Sequence, residues 1–332
     1  MKHPPAFGAL ACFAGGVLAL SGCTSDTTKS ATAAAAGTGG VPAACTAANP
    51  AVAVALPNLT NPYYVAMKSG FEDTAKTLGF TVDVQIANDD NATQLAQVQS
   101  MLQKKPCALA LNAVKSEPAA AIVKAANDAG VPVFTVNVIV SPDALTQQGA
   151  TILQYLGADN SAGGRQTAEQ LLKDAGASAA LKVGLVTEPD EVPTVQRDKG
   201  FKDGLASDTN AAVVASVDGN VKPDDSLKAA SEMLQGNPGI NVIFTSTGPA
   251  TFGSLQAVQS AKRDIKVYGF CAAEQKLTAQ YPACVAQEPA DYGKRVLEQI
   301  KAYIGGATPE RQILRPLKLF TTGQTPAPGE VG

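Results

Sequence analysis

Short apolar, β-branched runs alternate along this chain with stretches whose apolar residues recur every three or four positions, from about residue 50 to residue 320. The strand-like runs fall at residues 52–56, 81–86, 108–112, 131–137 and 152–157, then at 182–186, 212–217, 241–245, 265–270 and 283–287. Between the first two, Tyr64, Met67, Phe71, Ala75 and Leu78 are spaced to share one face of a helix, and Gly79 follows as a stop. Further helical patterns begin at Asn160, Val195, Asp224, Pro249 and Ala290. Right-handed crossovers then require parallel sheets covered on both faces, and this many strands is best met by two doubly wound sheets. The pattern predicts an α/β fold of two lobes.

The ends of the chain break that rhythm. Residues 24–49 are rich in Ala, Thr, Ser and Gly and contain no aromatic residue. Ahead of them an apolar run over residues 6–20, preceded by Lys2, closes on Leu20-Ser21-Gly22-Cys23. The run is too short and too rich in Gly and Ala to span a bilayer permanently, and the small-residue box resembles a bacterial lipoprotein signal. The expectation is a signal peptide over residues 1–22, acyl chains on Cys23 and a flexible tether over residues 23–49, of which residues 24–44 alone give a reach of about 25 Å. An ordinary cleaved signal is the alternative; either way the domain is exported. Residues 323–332, rich in Pro and Gly, read as a disordered tail.

Loss of residues 1–22 removes Lys2 and His3, leaving 25 Lys and Arg against 29 Asp and Glu and no histidine. That excludes Ser-His-Asp or Cys-His catalysis and imidazole metal sites. The acidic balance, without a basic run, argues against nucleic acid. No phosphate loop, dinucleotide fingerprint, nucleophile elbow or Cys-x-x-Cys is present. Asp89-Asp90 and Asp224-Asp225 stand at strand–helix junctions, where capping explains them, and Glu188, Asp190 and Glu191 form a loop cluster without a nucleophile. No enzyme, cofactor or metal is expected.

In doubly wound sheets ligands sit beyond the carboxyl ends of the strands, so the polar residues there are the candidates. Asn61-Pro62-Tyr63-Tyr64, Asn112, Asp159-Asn160 with Gly163-Gly164, Arg197-Asp198-Lys199-Gly200-Phe201, Gly269-Phe270 and Ala286-Gln287 stand there in order. Together they resemble the ribose-type family of solute-binding proteins of ABC importers, over about residues 50–322. The resemblance implies a type I periplasmic-binding-protein-like clamp with three hinge crossings, near Ala158, Gln287 and Pro316. One lobe then combines residues 50–158 with 288–315 and the other 159–287 with 316–322. It also implies that Asn61, Asn112, Arg197 and Gln287 hydrogen-bond a sugar while Tyr63 and Tyr64 pack on its ring. Tyr64 also belongs to the apolar stripe, and Arg197 also reads as an exposed helical charge. The chain departs from the family at Asn137-Val138, Thr247 and Cys271, where Asp-Arg, Asn and Asp are usual; Asn137 and Thr247 remain candidates for ligand contact.

These departures leave Arg197 as a lone cation in the expected cleft. Either Glu188, Asp190 or Glu191 folds over as its partner, and the ligand is a neutral carbohydrate or polyol, or the ligand is a sugar acid that brings the charge. The preponderance of amide, hydroxyl and tyrosine groups favours the neutral ligand. The expected partners are an ABC permease and its ATPase, with the membrane touched only through the lipid anchor and the protein a monomer. A sensor that presents the ligand to a membrane receptor uses the same clamp. The related repressors need an N-terminal helix-turn-helix, whose place here is taken by the export signal. Four cysteines remain after export and lipidation. Cys45 and Cys107 precede strands expected to be neighbours and should pair; Cys271 and Cys284 bracket one connection, expected to be helical, and pair unless Cys271 is a free thiol lining the cleft.

Overall fold

A computed structural model of the protein describes residues 40–176 and 179–332. After a 3-10 helix at Ala43–Thr46, β1 (Ala51–Leu56), α1 (Pro62–Leu78), β2 (Thr81–Ile86), α2 (Asn91–Gln103), β3 (Ala108–Leu111), α3 (Ala119–Asp128), β4 (Val133–Val136), α4 (Pro142–Gln148) and β5 (Gln154–Ala158) build the first lobe. The second lobe follows with α5 (Asn160–Ala175), β6 (Leu181–Thr187), α6 (Val192–Leu205), β7 (Ala211–Asp218), α7 (Pro223–Gly236), β8 (Val242–Thr245), α8 (Gly248–Ala261), β9 (Lys266–Phe270) and β10 (Ala283–Ala286). The chain returns to the first lobe for α9 (Pro289–Ile304) and β11 (Gln312–Arg315) and crosses again into β12 (Lys318–Thr321). It thus passes between the lobes three times.

The sheets have orders β11-β5-β4-β3-β1-β2 and β12-β10-β9-β8-β6-β7. All pairs are parallel except β10 with β12. Each sheet is covered on both faces, as β1 illustrates: Val52, Val54 and Leu56 enter the cluster under α1 and α9, while Ala53 and Ala55 enter the one under α2 and α3. That double burial explains why these strands read as continuous apolar runs. At α1, the Asn61 side chain caps the first turn by accepting from the Tyr63 N–H, Pro62 supplies the first helical φ, and Gly79 closes the helix at φ 76°. The stripe from Tyr64 to Ala75 is buried.

Disulfides join Cys45 to Cys107 and Cys271 to Cys284, with Cα separations of 4.6 and 4.9 Å. The first fixes the chain ahead of β1 to the start of β3, so the segment read as tether is already held at Cys45, which is buried. The signal peptide, Cys23 and the tether as far as residue 39 lie outside the described residues.

Two expectations are corrected. The connection between β9 and β10 contains no helix: Pro282 stands at its end, the buried Tyr281 hydroxyl accepts from the Ala272 N–H at 3.2 Å, and the disulfide ties its ends. The tail over residues 323–332 is not a free end either. Val331 forms an antiparallel bridge with Gln287, and Gly332 is bonded to Cys271 and Gly248. Composition pointed to disorder because Val331 is the one large apolar residue there, but backbone pairing needs no apolar side chain.

Candidate functional site

Between the lobes, where the strands of both sheets present their carboxyl ends, Asn61, Tyr63, Tyr64, Asn137, Arg197, Thr247 and Gln287 line a single cavity. Asn112 does not. It is fully buried, with its Nδ2 3.4 Å from Met67 Sδ and its Oδ1 unpartnered. The cavity encloses about 20 Å³, room for about one water molecule.

The first lobe contributes uncharged groups. Tyr63 and Tyr64, in the first turn of α1, meet edge to face at 5.4 Å between centroids. The Tyr63 hydroxyl lies 2.9 Å from Asn137 Oδ1 and 3.1 Å from Gln287 Oε1, and with one proton it donates to only one of them. Burial raises the pKa of both tyrosines well above the usual phenol value, so their hydroxyls stay protonated. Asn137 follows β4 at φ 62°, a left-handed conformation that asparagine tolerates, and its carbonyl accepts from the Tyr155 hydroxyl at 3.0 Å. The departure Asn137-Val138 is thereby accounted for locally: the amide faces the cavity while Val138 enters the apolar cluster behind it.

The second lobe contributes the charges. Arg197, on α6, is 4% exposed. Its Nε donates to Asn160 Oδ1 at 2.8 Å, its Nη1 donates to the Ser246 carbonyl at 2.7 Å, and its guanidinium carbon lies 3.9 Å from the Phe270 ring centroid. The guanidinium is held over that ring with donor capacity to spare. Glu191, immediately before α6, also lines the cavity; burial and the neighbouring Glu188 push its carboxyl up to about 7, against the opposing pull of Lys115 and Arg197. Glu188 itself is fully buried and bridged by Lys115 of the first lobe at 2.6 Å. Beside it the Val192 N–H donates to Ser116 Oγ at 2.8 Å, so one flank of the cleft is closed by polar contacts between the lobes.

Pro193, Val221 and Gly332 complete the lining. None was singled out from sequence. Glu191 stood there only as one of three acids in a loop, and what distinguishes it is its place directly before α6, one turn and a half from Arg197. Among the described residues no group of three His, Cys, Asp or Glu side chains is placed to hold a metal ion. No described helix is long and apolar enough to cross a membrane.

Comparison with known proteins places this architecture. A family model described as the periplasmic binding protein domain matches residues 52–308. The chain belongs to that family. It is a ribose-type member, 29% identical over 274 residues to the ribose import binding protein of Bacillus subtilis, covering 81% of this chain and 87% of that one. Among solved structures, the myo-inositol binding protein of Caulobacter, bound to myo-inositol, superposes with a TM-score of 0.72 at 25% identity, over 82% of this chain and 93% of its own. A solute-binding protein of Agrobacterium vitis bound with α-D-tagatopyranose has the same fold, with a TM-score of 0.75 at 24% identity over 82% and 95% of the two chains.

Proposed function

We propose that this protein captures a neutral sugar or polyol between its lobes outside the cytoplasm and delivers it to an ABC permease and its ATPase. The observation that carries the reading is the charge balance of the cavity, in which Arg197 and, once ionised above about pH 7, Glu191 supply opposite charges among amides and phenols. A ligand that brought its own charge would leave one of the two unmatched in a dehydrated cleft. Ring faces suit Tyr63 and Tyr64, and hydroxyls suit the donors and acceptors of Asn61, Asn137, Thr247 and Gln287. Ribose and myo-inositol, in the names of the relatives above, are an uncharged sugar and an uncharged polyol. Those relatives are binding and transport proteins, and membership of their family goes with a place outside the cytoplasm.

A cavity of about 20 Å³ is too small for a sugar ring, so capture requires the lobes to part and close again around it. Asn112, beside Met67, then acts from behind the cavity wall or meets the ligand after that rearrangement. Anchoring through Cys23 is supported by the Leu20-Ser21-Gly22-Cys23 box and would hold the protein near its importer. Calorimetry against D-ribose, D-allose, myo-inositol and D-ribonate tests the ligand class. Binding of at least one neutral compound and not of the acid is expected; binding confined to D-ribonate would replace the neutral ligand with a sugar acid.

A further inference from the structure

We infer that residues 325–332 form a strap that latches the two lobes together and gates the ligand cavity. The backbone of the strap belongs to the second lobe. The Gln287 N–H donates to the Val331 carbonyl at 2.8 Å and the Val331 N–H donates back to the Gln287 carbonyl at 3.2 Å. One residue on, the Gly332 N–H donates to the Cys271 carbonyl at 2.9 Å, and the Gly248 N–H donates to the Gly332 carbonyl at 2.8 Å. These contacts cap the positions that follow β8, β9 and β10, where the fold otherwise presents backbone to a ligand.

The side chains tie the strap to the other lobe. Val331 is 6% exposed and packs in the same apolar cluster as Tyr63 and Tyr64. Leu59, Val65 and Ala66 of the first lobe, Ala273 of the second and residues 325–331 of the strap surround one outer cavity of about 730 Å³. Near the β11–β12 crossing, Lys318 holds Glu330 at 2.6 Å and Glu288 at 2.9 Å, fixing the strap beside two of the three crossings. Separating the lobes therefore withdraws Val331 from its apolar seat or pulls its backbone from Gln287.

The fit at the inner end is close. A Cβ on Gly332 would lie 2.4 Å from Phe270 Cβ and 2.8 Å from the Cys271 nitrogen, so glycine alone fits at this position without displacement. Because Gly332 also lines the cavity with Arg197 and Thr247, the strap narrows the space open to a ligand, and its release enlarges that space on the floor formed by Cys271 and Gly248. The gating part of this inference rests on the sugar-binding reading; the latch does not.

Amide hydrogen exchange and small-angle scattering on the full chain, without added sugar, test the latch in Val331→Asp and in the milder Lys318→Met. The Gly248 and Gln287 amides, whose acceptors are strap carbonyls, should exchange at least tenfold faster in both variants. The Ile243 amide in β8 should be unchanged, and the radius of gyration should increase. Unchanged exchange at Gly248 and Gln287 overturns the strap, and faster exchange with an unchanged radius overturns the latch. Stopped-flow tyrosine fluorescence with D-ribose and with myo-inositol then tests the gate: association should be at least fivefold faster in Lys318→Met, and an equal rate overturns gating. If neither compound binds any form of the protein, the sugar-binding reading fails and the gate with it, while scattering and exchange still decide the latch.

Discussion

The two lobes share one βα rhythm and meet at one cavity, yet they equip it differently. The first lobe brings phenols and amides on α1 and just after β4; the second brings a guanidinium and a carboxyl on and beside α6. The disulfides follow the same asymmetry. Cys45–Cys107 ties the amino-terminal ends of the first lobe's strands, away from the cavity, whereas Cys271 closes β9 at the cavity end and its carbonyl receives the strap. The first lobe is thus stapled behind its share of the cavity wall and the second lobe beside it. The uncharged and the charged groups of the cavity are largely separated by lobe, and each set can be perturbed alone.

The largest expected effect uses the staple remote from the site. Cys45→Ala with Cys107→Ala opens a loop spanning 62 residues and should lower unfolding stability by about 4 kcal/mol by the chain-entropy relation. Sugar affinity should stay within twofold. The Cys271→Ala, Cys284→Ala pair opens a span of 13 residues and should cost about 3 kcal/mol, with affinity falling as well. Denaturant unfolding together with calorimetry checks both; equal loss of affinity in the two double variants would remove the distinction between the lobes.

Next is the carboxyl of the second lobe. Glu191 rises from an ordinary carboxyl value of 4.5 to about 7 because burial and Glu188 disfavour its ionised form. The folded protein therefore holds this proton more tightly than the unfolded chain, and stability falls as pH rises from about 4.5 to about 7, by about 3 kcal/mol if the whole shift is expressed. Lys115 and Arg197 oppose the trend and Asp89 and Glu188 reinforce it, so Glu191→Gln isolates the contribution. The variant should lose that part of the pH dependence and be more stable than the parent at pH 8. Ligand affinity in the parent should move the other way, strengthening as Glu191 ionises and accepts from a sugar hydroxyl. Identical stability profiles for parent and variant would refute the assignment.

The sequence made the first lobe more legible than the second for physical reasons. The α1 stripe, its Asn61 cap and its Gly79 stop are local, and they place Tyr63 and Tyr64 without knowledge of any partner. Tyr64 carried two readings, core and ligand contact; it is buried in the stripe and it also lines the cavity. Arg197 was placed by the resemblance, but its setting over Phe270 depends on β9, far along the chain. Glu191 and Val331 are defined only by elements distant in sequence, so composition said little of the first and misread the second. Asn112 shows the reverse. It follows β3 as expected, but its side chain turns toward Met67 inside the lobe.

Smaller effects separate the two sides of the cavity. Arg197→Met leaves Asn160 Oδ1 and the Ser246 carbonyl without that donor, which should lower stability, and it removes the remaining guanidinium donors from the cavity, so sugar binding should weaken by about 2 to 3 kcal/mol. Asn137→Ala removes one neutral partner and should cost about 1 kcal/mol. Calorimetry with one neutral ligand ranks them, and the reverse order would place the dominant recognition in the first lobe.

The smallest effect concerns a residue of the second lobe that sequence gave no reason to notice. Val221, in the loop after β7, lines the cavity at φ 51°, a left-handed conformation that a β-branched side chain disfavours. The strain is of the order of 1 kcal/mol and is retained where the surrounding contacts hold the backbone in place. Its neighbour Asn220 shares the conformation, but asparagine tolerates it, so the penalty falls on Val221. Val221→Gly relieves it and also loosens the unfolded chain, so the net gain in stability should be at most about 1 kcal/mol. Losing the valine side chain removes part of the cavity wall supplied by the second lobe and should weaken sugar binding by two- to fivefold. Paired unfolding and binding measurements test this exchange of stability for recognition. A variant that is less stable and binds equally well would show that Val221 serves the fold of its loop and not the cavity.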